Sequence, residues 1–306
     1  IERVRNQPVT LADLGFSLAP QVLLPPIGED TSLVRRYLEH FFQADEKLDD
    51  FAKYLARNYL DRVLAETKIL YGAEDAAGWY AKLSPAEQKA LRERVELRFG
   101  PQNKSSYLAD DAVELTLELK NVSQLLVKIY EVNPRNYYRA NKRPLSTDID
   151  LDGLVANAQR QLEFTQPADR RHSQTLTLPE LEGRGVWVID VLGGGQRSRA
   201  LIQKGNLSSL QQLSDAGHLL RIVDDQGEIV KTAHVEINDR AFESDSNGRI
   251  LIPYSQSENV QNILLVDGDF ASQEQFNMQS ESDRLQAGFI VDRQTLIAGA
   301  QATVLV

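Results

Sequence analysis

The sequence predicts a mainly β protein with an N-terminal α-helical region, its β part divided into antiparallel sandwiches in tandem. Three observations carry this. Up to about Phe99 the apolar residues recur at three- and four-residue steps, and beyond Tyr107 they recur at every second residue. From there on, short strands follow one another with turn residues, not helices, between most of them.

The helical part comes first. A nearly uncharged run from about Phe16 to Gly28 contains Pro20, Pro25 and Pro26, and is too short and too often broken to span a bilayer. Between Asp30 and about Phe99 two or three helices are expected. Leu48, Phe51, Ala52, Leu55, Tyr59 and Val63 put one apolar face on a long helix and leave its charges outward. Ser84-Pro85-Ala86-Glu87 is a capping box with proline at the first helical position, so a new helix should start at Ser84 and run to about Phe99. Gly100-Pro101 ends it, and the polar stretch to Ser106 reads as a linker.

The strands follow in two sets. Val113-Leu115-Leu117-Leu119 and Val127-Ile129-Tyr130-Val132 join around Asn121-Val122-Ser123; Leu162-Phe164, Leu176-Leu178 and Val186-Val188-Val191 continue the series, and Arg199 to Ile202 closes it. A second all-β unit starts after Gly217 with Leu219 to Val223, a turn at Asp224-Asp225-Gln226-Gly227, and Ala233 to Ile237. Asp245-Ser246-Asn247-Gly248 reads as an Asx-rich hairpin turn feeding Arg249 to Ile252. Ile263 to Val266 and Gly268 to Ala271 finish the unit. Strands from Gly288 to Arg293 and from Val304 to Val306, either side of a turn with Gly299, are expected to open a further domain. The expected divisions are 1–106 for the N-terminal segment and helical domain, 107–214 and 215–282 for two sandwiches, and 283–306 for the first strands of the next.

Composition excludes several classes of function. The 306 residues carry a formal net charge of -10, which repels phosphate backbones, and no basic run with interleaved aromatics offsets it. Nucleic acid is therefore not an expected partner. With no cysteine, the chain has no disulfide, thiol nucleophile or Cys-ligated zinc, and its redox compartment stays open. It opens Ile1-Glu2-Arg3 without Met, so a leader cannot be read from it.

The sharpest local motif is Asp148-Ile149-Asp150-Leu151-Asp152-Gly153. Carboxylates at positions one, three and five with glycine at six are what a calcium loop requires, and Val155 fits the apolar eighth position. The twelfth is Gln159, so the bidentate glutamate is missing and Asp148, Asp150 and Asp152 would hold Ca2+ only weakly. The competing reading is a turn with Ile149 and Leu151 inward and the aspartates in water. Gly193-Gly194-Gly195 lacks the following helix that a phosphate cradle needs and reads as a hairpin turn. His40, His172, His218 and His234 are dispersed without metal-ligand spacing and give no support to a hydrolytic triad. Asn136-Tyr137-Tyr138-Arg139 reads as a strand end packing its tyrosines, or else as an aromatic recognition patch. Asp45, Glu46, Asp49, Asp50 and Asp61 crowd together, but opposite the apolar stripe, as solvated helix surface.

Taken in order, the segments resemble a family. Gly185 to Val191 followed by Ser198 to Ile202 is similar to the strand pair that closes one domain in bacterial α2-macroglobulin-like proteins, and Asp225-Gln226-Gly227, Ala233-His234-Val235, Asp245 to Arg249 and Gly268 to Ala271 resemble the next domain. Asp292, Arg293 and Gly299 stand at the spacing of the domain opening after that, with Leu296, Ala298 and Ala302 departing from it. The resemblance implies tandem immunoglobulin-like (macroglobulin-type) sandwiches in a structural or interaction segment of a large periplasmic, cell-surface or secreted protein. It further implies no catalysis or cofactor here, and as partners proteases held in a trap and neighbouring domains of the same chain. The family's Cys–Gln thioester has no counterpart without cysteine, and the helical segment before Gly100 has no place in the family layout. The alternatives are a carbohydrate- or protein-binding sandwich of a large surface protein, or an enzyme site among the acids of the helical region.

Overall fold

Helix α1 (Thr31–Ala44) has apolar residues on two sides, and among the described residues one of them packs into a core. Leu38 and Phe42 are buried against Tyr59, Leu60, Val63 and Leu64 of α3 (Arg57–Tyr71). The short α2 (Asp49–Ala52) lies between them in sequence, so the long helix expected over Leu48 to Val63 is two. The chain turns out of helix at Ala56, which is extended, but Leu55 and Ala56 still pack on the same core. That keeps the apolar period unbroken and hides the interruption. Helices α4 (Ala76–Ala81) and α5 (Pro85–Glu93) complete the helical part. The computed structural model describes residues 31–44, 47–141, 143–281, 288, 290–299, 301 and 303–305.

Both ends of α5 have a clear cause. At its start the Glu87 amide donates to Ser84 Oγ (3.3 Å) and the Ser84 amide donates back to Glu87 Oε2 (2.8 Å), the reciprocal box the sequence predicts. Its end comes at Glu93, well before Phe99, because the following strands take up its carbonyls. Buried Lys120 donates through Nζ to the carbonyls of Leu91 and, at 2.7 Å, Arg94, while Asn121 donates to those of Arg92 and Glu93. Burial holds the Lys120 ammonium down to about 8. Residues after Arg94 are then free to pair as a strand. In the same way α3 stops at Gly72, whose φ of 82° only glycine adopts readily, and Arg170 donates to the Ile69 carbonyl there (2.8 Å).

The helices share a compact unit with the first sandwich, which comprises residues up to Asn133 and Leu145–Gly205. Its strands are β1 (Glu96–Phe99), β2 (Ser106–Tyr107), β3 (Glu114–Lys120), β4 (Gln124–Glu131), β5 (Ala158–Glu163), β6 (Arg171–Thr177), β7 (Gly185–Gly193) and β8 (Gln196–Lys204). They form a three-stranded sheet in the order β1-β3-β6 and a five-stranded sheet in the order β2-β8-β7-β4-β5. All pairs are antiparallel except β2 with β8. Leu115, Leu117 and Leu119 of one sheet and Leu125, Val127, Ile129, Ile189 and Val191 of the other alternate into one core. Gly194 and Gly195 close the β7–β8 hairpin at φ 57° and 77°, as a two-residue turn of this hand requires.

The second unit contains residues Asn206–Val306 and, from between β4 and β5, Pro134–Pro144. The latter carries α6 (Pro134–Asn141), so Asn136 to Arg139 is helix where the sequence suggested a strand end. Its strands β9 (Ser208–Ser214), β10 (Gly217–Val223), β11 (His234–Ile237), β12 (Arg240–Phe242), β13 (Ile250–Ile252), β14 (Asn259–Asp267) and β15 (Phe270–Met278) form sheets in the orders β13-β10-β9 and β12-β11-β14-β15. The expected border after residue 214 falls inside the β9–β10 hairpin, where Ser214 pairs with Gly217. The Asp245 turn forms, with Asp245 Oδ1 accepting the amides of Asn247 and Arg249 at 2.8 Å each, but it carries the chain from one sheet to the other instead of closing a hairpin. Near the end β16 (Ile290–Val291) pairs antiparallel with β17 (Val304–Leu305).

Candidate functional site

The strongest electrostatic feature of the first unit is a closed ring of alternating charge. Arg35 donates to Glu39 (3.1 Å), Glu39 accepts from Arg171 (2.7 Å), and Arg171 reaches Glu96 at 2.6 Å. Glu96 accepts from Arg94 (2.8 Å), Arg94 meets Glu66 (3.3 Å), and Glu66 accepts from Arg35. Three arginines and three glutamates from α1, α3, the α5–β1 connection, β1 and β6 therefore balance one another, with Glu39 and Arg171 about 95% buried. Burial alone would raise the Glu39 carboxyl; Arg171 and Arg35 override it and hold it below the usual carboxylate range. Burial would likewise lower Arg171, and Glu39 and Glu96 raise it instead. Each member of the ring meets two of opposite sign, so the ring joins elements, while Arg94 Nη2 is buried without a hydrogen-bond partner among the described residues. Sequence reasoning missed it, although Glu66 directly after the apolar run Val63-Leu64-Ala65, on the helix face that is buried, was a signal.

A smaller node organises the second unit. Glu236 of β11 is buried, and its carboxylate accepts from Arg135 Nε (2.9 Å), from Arg139 Nε (2.9 Å) and Nη2 (2.7 Å), and lies 3.3 Å from His234 Nε2. Burial would raise its pKa; the two guanidinium groups of α6 outweigh that and lower it. Beside it is a polar cavity of about 220 Å³ lined by Tyr138, Arg139, Glu236, Asn238, Gln261 and Asn262.

The structure places the calcium candidates in a turn with Ile149 and Leu151 buried and Asp148, Asp150 and Asp152 exposed. Asp148 accepts from Ser146, and Asp150 Oδ1 accepts the Asp152 amide (2.9 Å). Among the described residues no three metal-ligating side chains come together. Of the acidic group in the helical region, Asp45 and Glu46 lie outside the described residues, while Asp49 and Asp61 are exposed and share Arg57 at 3.1 and 3.4 Å. They are solvated helix surface. The histidines stay apart: His40 is exposed, and His172 and His218 are both pushed down by burial. His218 Nε2 accepts the Gln279 amide (3.1 Å), and its Nδ1 lies 2.7 Å from the Gln211 side-chain amide.

What remains is surface. The outward side of α1 carries Leu33, Tyr37 and Phe41 at 66, 58 and 41% exposure, one turn apart, with Arg36 and His40 between them. Tyr37 and Phe41 rings stand 4.8 Å apart, and Phe41 lies 5.8 Å from Phe51. Exposed apolar side chains this close together are unusual on a helix that already buries its other side.

These features define a chain of immunoglobulin-like sandwiches with a helical region built onto the first, and the comparisons with known proteins agree. Residues 2–95 match a family model described as the actin-binding protein F N-terminal domain, and residues 125–205 match one described as the AbpF first immunoglobulin-like domain. The chain is 32% identical over 286 residues to actin-binding protein F of Dictyostelium discoideum, an alignment covering 91% of this chain and 12% of that protein's length. Among solved structures, α2-macroglobulin of Escherichia coli spanning domains MG0-NIE-MG1 is 13% identical with a TM-score of 0.41, covering 59% of this chain and 64% of that one. A chimeric titin Z1Z2 tandem is 11% identical with a TM-score of 0.29, covering 62% and 99%. Likeness at that level does not bear on function.

The sequence matches overturn part of the reading from motifs. The immunoglobulin-like β-sandwich holds. The bacterial α2-macroglobulin segment, protease trapping, proteases as partners and the cell-envelope or secreted location do not, because the matching relative is a Dictyostelium protein named for binding actin. The motifs misled for a physical reason. Turn glycines and alternating strands such as those around Asp225 and Gly268 belong to any antiparallel sandwich and carry no family signal of their own. The helical region without a place in the macroglobulin layout was the better clue.

Proposed function

We propose that the chain is an actin-binding segment of a larger protein, acting by contact and not by catalysis. The observation that carries this is the 32% identity to actin-binding protein F over 286 residues, an alignment covering 91% of the chain. The chain covers 12% of that relative, so its share in the relative's activity is a matter for direct test. The geometry supports a binding role: the buried charges are committed to one another, and the outward side of α1 is apolar and open. On this reading the chain works where actin filaments are. The test is co-sedimentation of the 306-residue chain with filamentous actin at increasing actin concentration. Saturable appearance in the pellet is expected, and a chain that stays in the supernatant at every concentration overturns the proposal.

A further inference from the structure

Within the first unit, α1 is held from one side by the described residues. Glu39 ties α1 to the sandwich through Arg171, and Leu38 and Phe42 fix it to α3, so its rotation about its own axis is set. The opposite side is thereby presented in a fixed orientation: Leu33, Tyr37 and Phe41, flanked by Arg36 and His40. Its described exposed residues include no carboxylate, in a chain whose formal charge is -10. Among the described residues after α1 the first exposed carboxylates are Asp49 and Asp50 of α2, and Asp49 is bound to Arg57; Asp45 and Glu46 lie outside the described residues. Two rings already in contact and the Arg36 guanidinium, with no exposed acid among the described residues of α1, make a surface suited to an acidic protein face with room for aromatic side chains.

We propose that this outward face of α1 is the surface through which the chain contacts an actin filament, an inference that rests on the actin-binding role proposed above. Two observations favour a filament over another occupant. The face lies inside the 2–95 region whose matching model is described as the actin-binding protein F N-terminal domain, outside the immunoglobulin-like match at 125–205. A second copy meeting the same face across a two-fold axis would bring a patch holding Arg36 and no described exposed carboxylate against an identical one, which offers Arg36 no opposite charge. Tyr37 and Phe41 supply the apolar anchors, and Arg36 supplies the salt-sensitive attraction.

The experiment compares wild type, Tyr37→Ala/Phe41→Ala, Arg36→Glu and the control Val260→Ser, an exposed site in the second unit, by co-sedimentation with filamentous actin at two salt concentrations. Circular dichroism melting checks that each is folded. The expected result is a loss of about tenfold or more in affinity for the double variant and for Arg36→Glu, the latter largest at low salt, with Val260→Ser unchanged. Arg36→Glu keeps the test decisive if the double variant fails to fold, since Arg36 lies outside the packed core. If wild type pellets with actin and both face variants pellet equally well, the face is overturned and the actin role stands. If wild type does not pellet, both fall. Self-association of the free chain that the face variants abolish, without change in actin affinity, assigns the face to a second copy and overturns the proposal. Protection of Tyr37 from chemical modification in the free chain, again with actin affinity unchanged in the variants, assigns it to the chain's own preceding residues and does the same.

Discussion

The two units each bury a glutamate among arginines, but they do it differently. In the first, Glu39 belongs to a closed ring in which every member has two neighbours of opposite sign, drawn from helices and strands alike. In the second, Glu236 meets two arginines of one helix, whose side chains are 27 and 46% exposed, with His234 beside it. The ring joins several elements into one body and fixes α1, whereas the node pins one short helix to one sheet. A buried charge tolerates loss of a partner only when water can replace it. The first unit should therefore be the more sensitive to any break, and the consequence should reach the face of α1.

That contrast sets the order of expected effects. Arg171→Ala should cost the first unit about 3–5 kcal/mol, because Glu39 and Glu96 lose their shared partner in a buried site. Both tryptophans, Trp79 and Trp187, lie in that unit, so urea unfolding followed by their fluorescence reads it alone. Glu236→Gln should cost the second unit less, about 1–3 kcal/mol, since Arg135 and Arg139 can regain water. Calorimetry should show that loss while tryptophan fluorescence stays as in wild type; an equal loss in both signals would erase the contrast between the units. Ser84→Ala removes one cap and should cost about 1 kcal/mol, read by the same fluorescence.

The smallest expected effect is in pH. Burial holds His218 and His172 below the ordinary histidine value of 6.5, so above it both are neutral in folded and unfolded chains alike. As pH falls through 6.5 the unfolded chain takes up protons that the folded one does not, and stability declines until the lower folded values are reached. In the second unit, protonating His218 also breaks its bond to the Gln279 amide. His218→Gln should flatten the acid side of that unit's pH–stability curve, and a slope unchanged by the substitution would assign the dependence elsewhere.

The sequence made the class of fold legible because burial on alternate sides leaves its mark residue by residue: Leu115, Leu117 and Leu119 read as a strand and are one. Ser84 and Glu87 specified their cap by their own chemistry. Features made by distant residues left no such mark. The end of α5 depends on Lys120, and the placement of Asn136 to Arg139 as helix in the second unit depends on Glu236, about a hundred residues further on. For the candidate surface, the heptad of α1 shows apolar residues on two sides, but only the position of α3 decides which side is covered.

Hydrogen–deuterium exchange of the 306-residue chain with and without filamentous actin addresses the central claim most directly. The account predicts slowed exchange on actin binding concentrated in Thr31 to Ala44, with the second unit unchanged. Protection confined to the sandwiches, or bound chain whose α1 exchanges as fast as free chain, would contradict it.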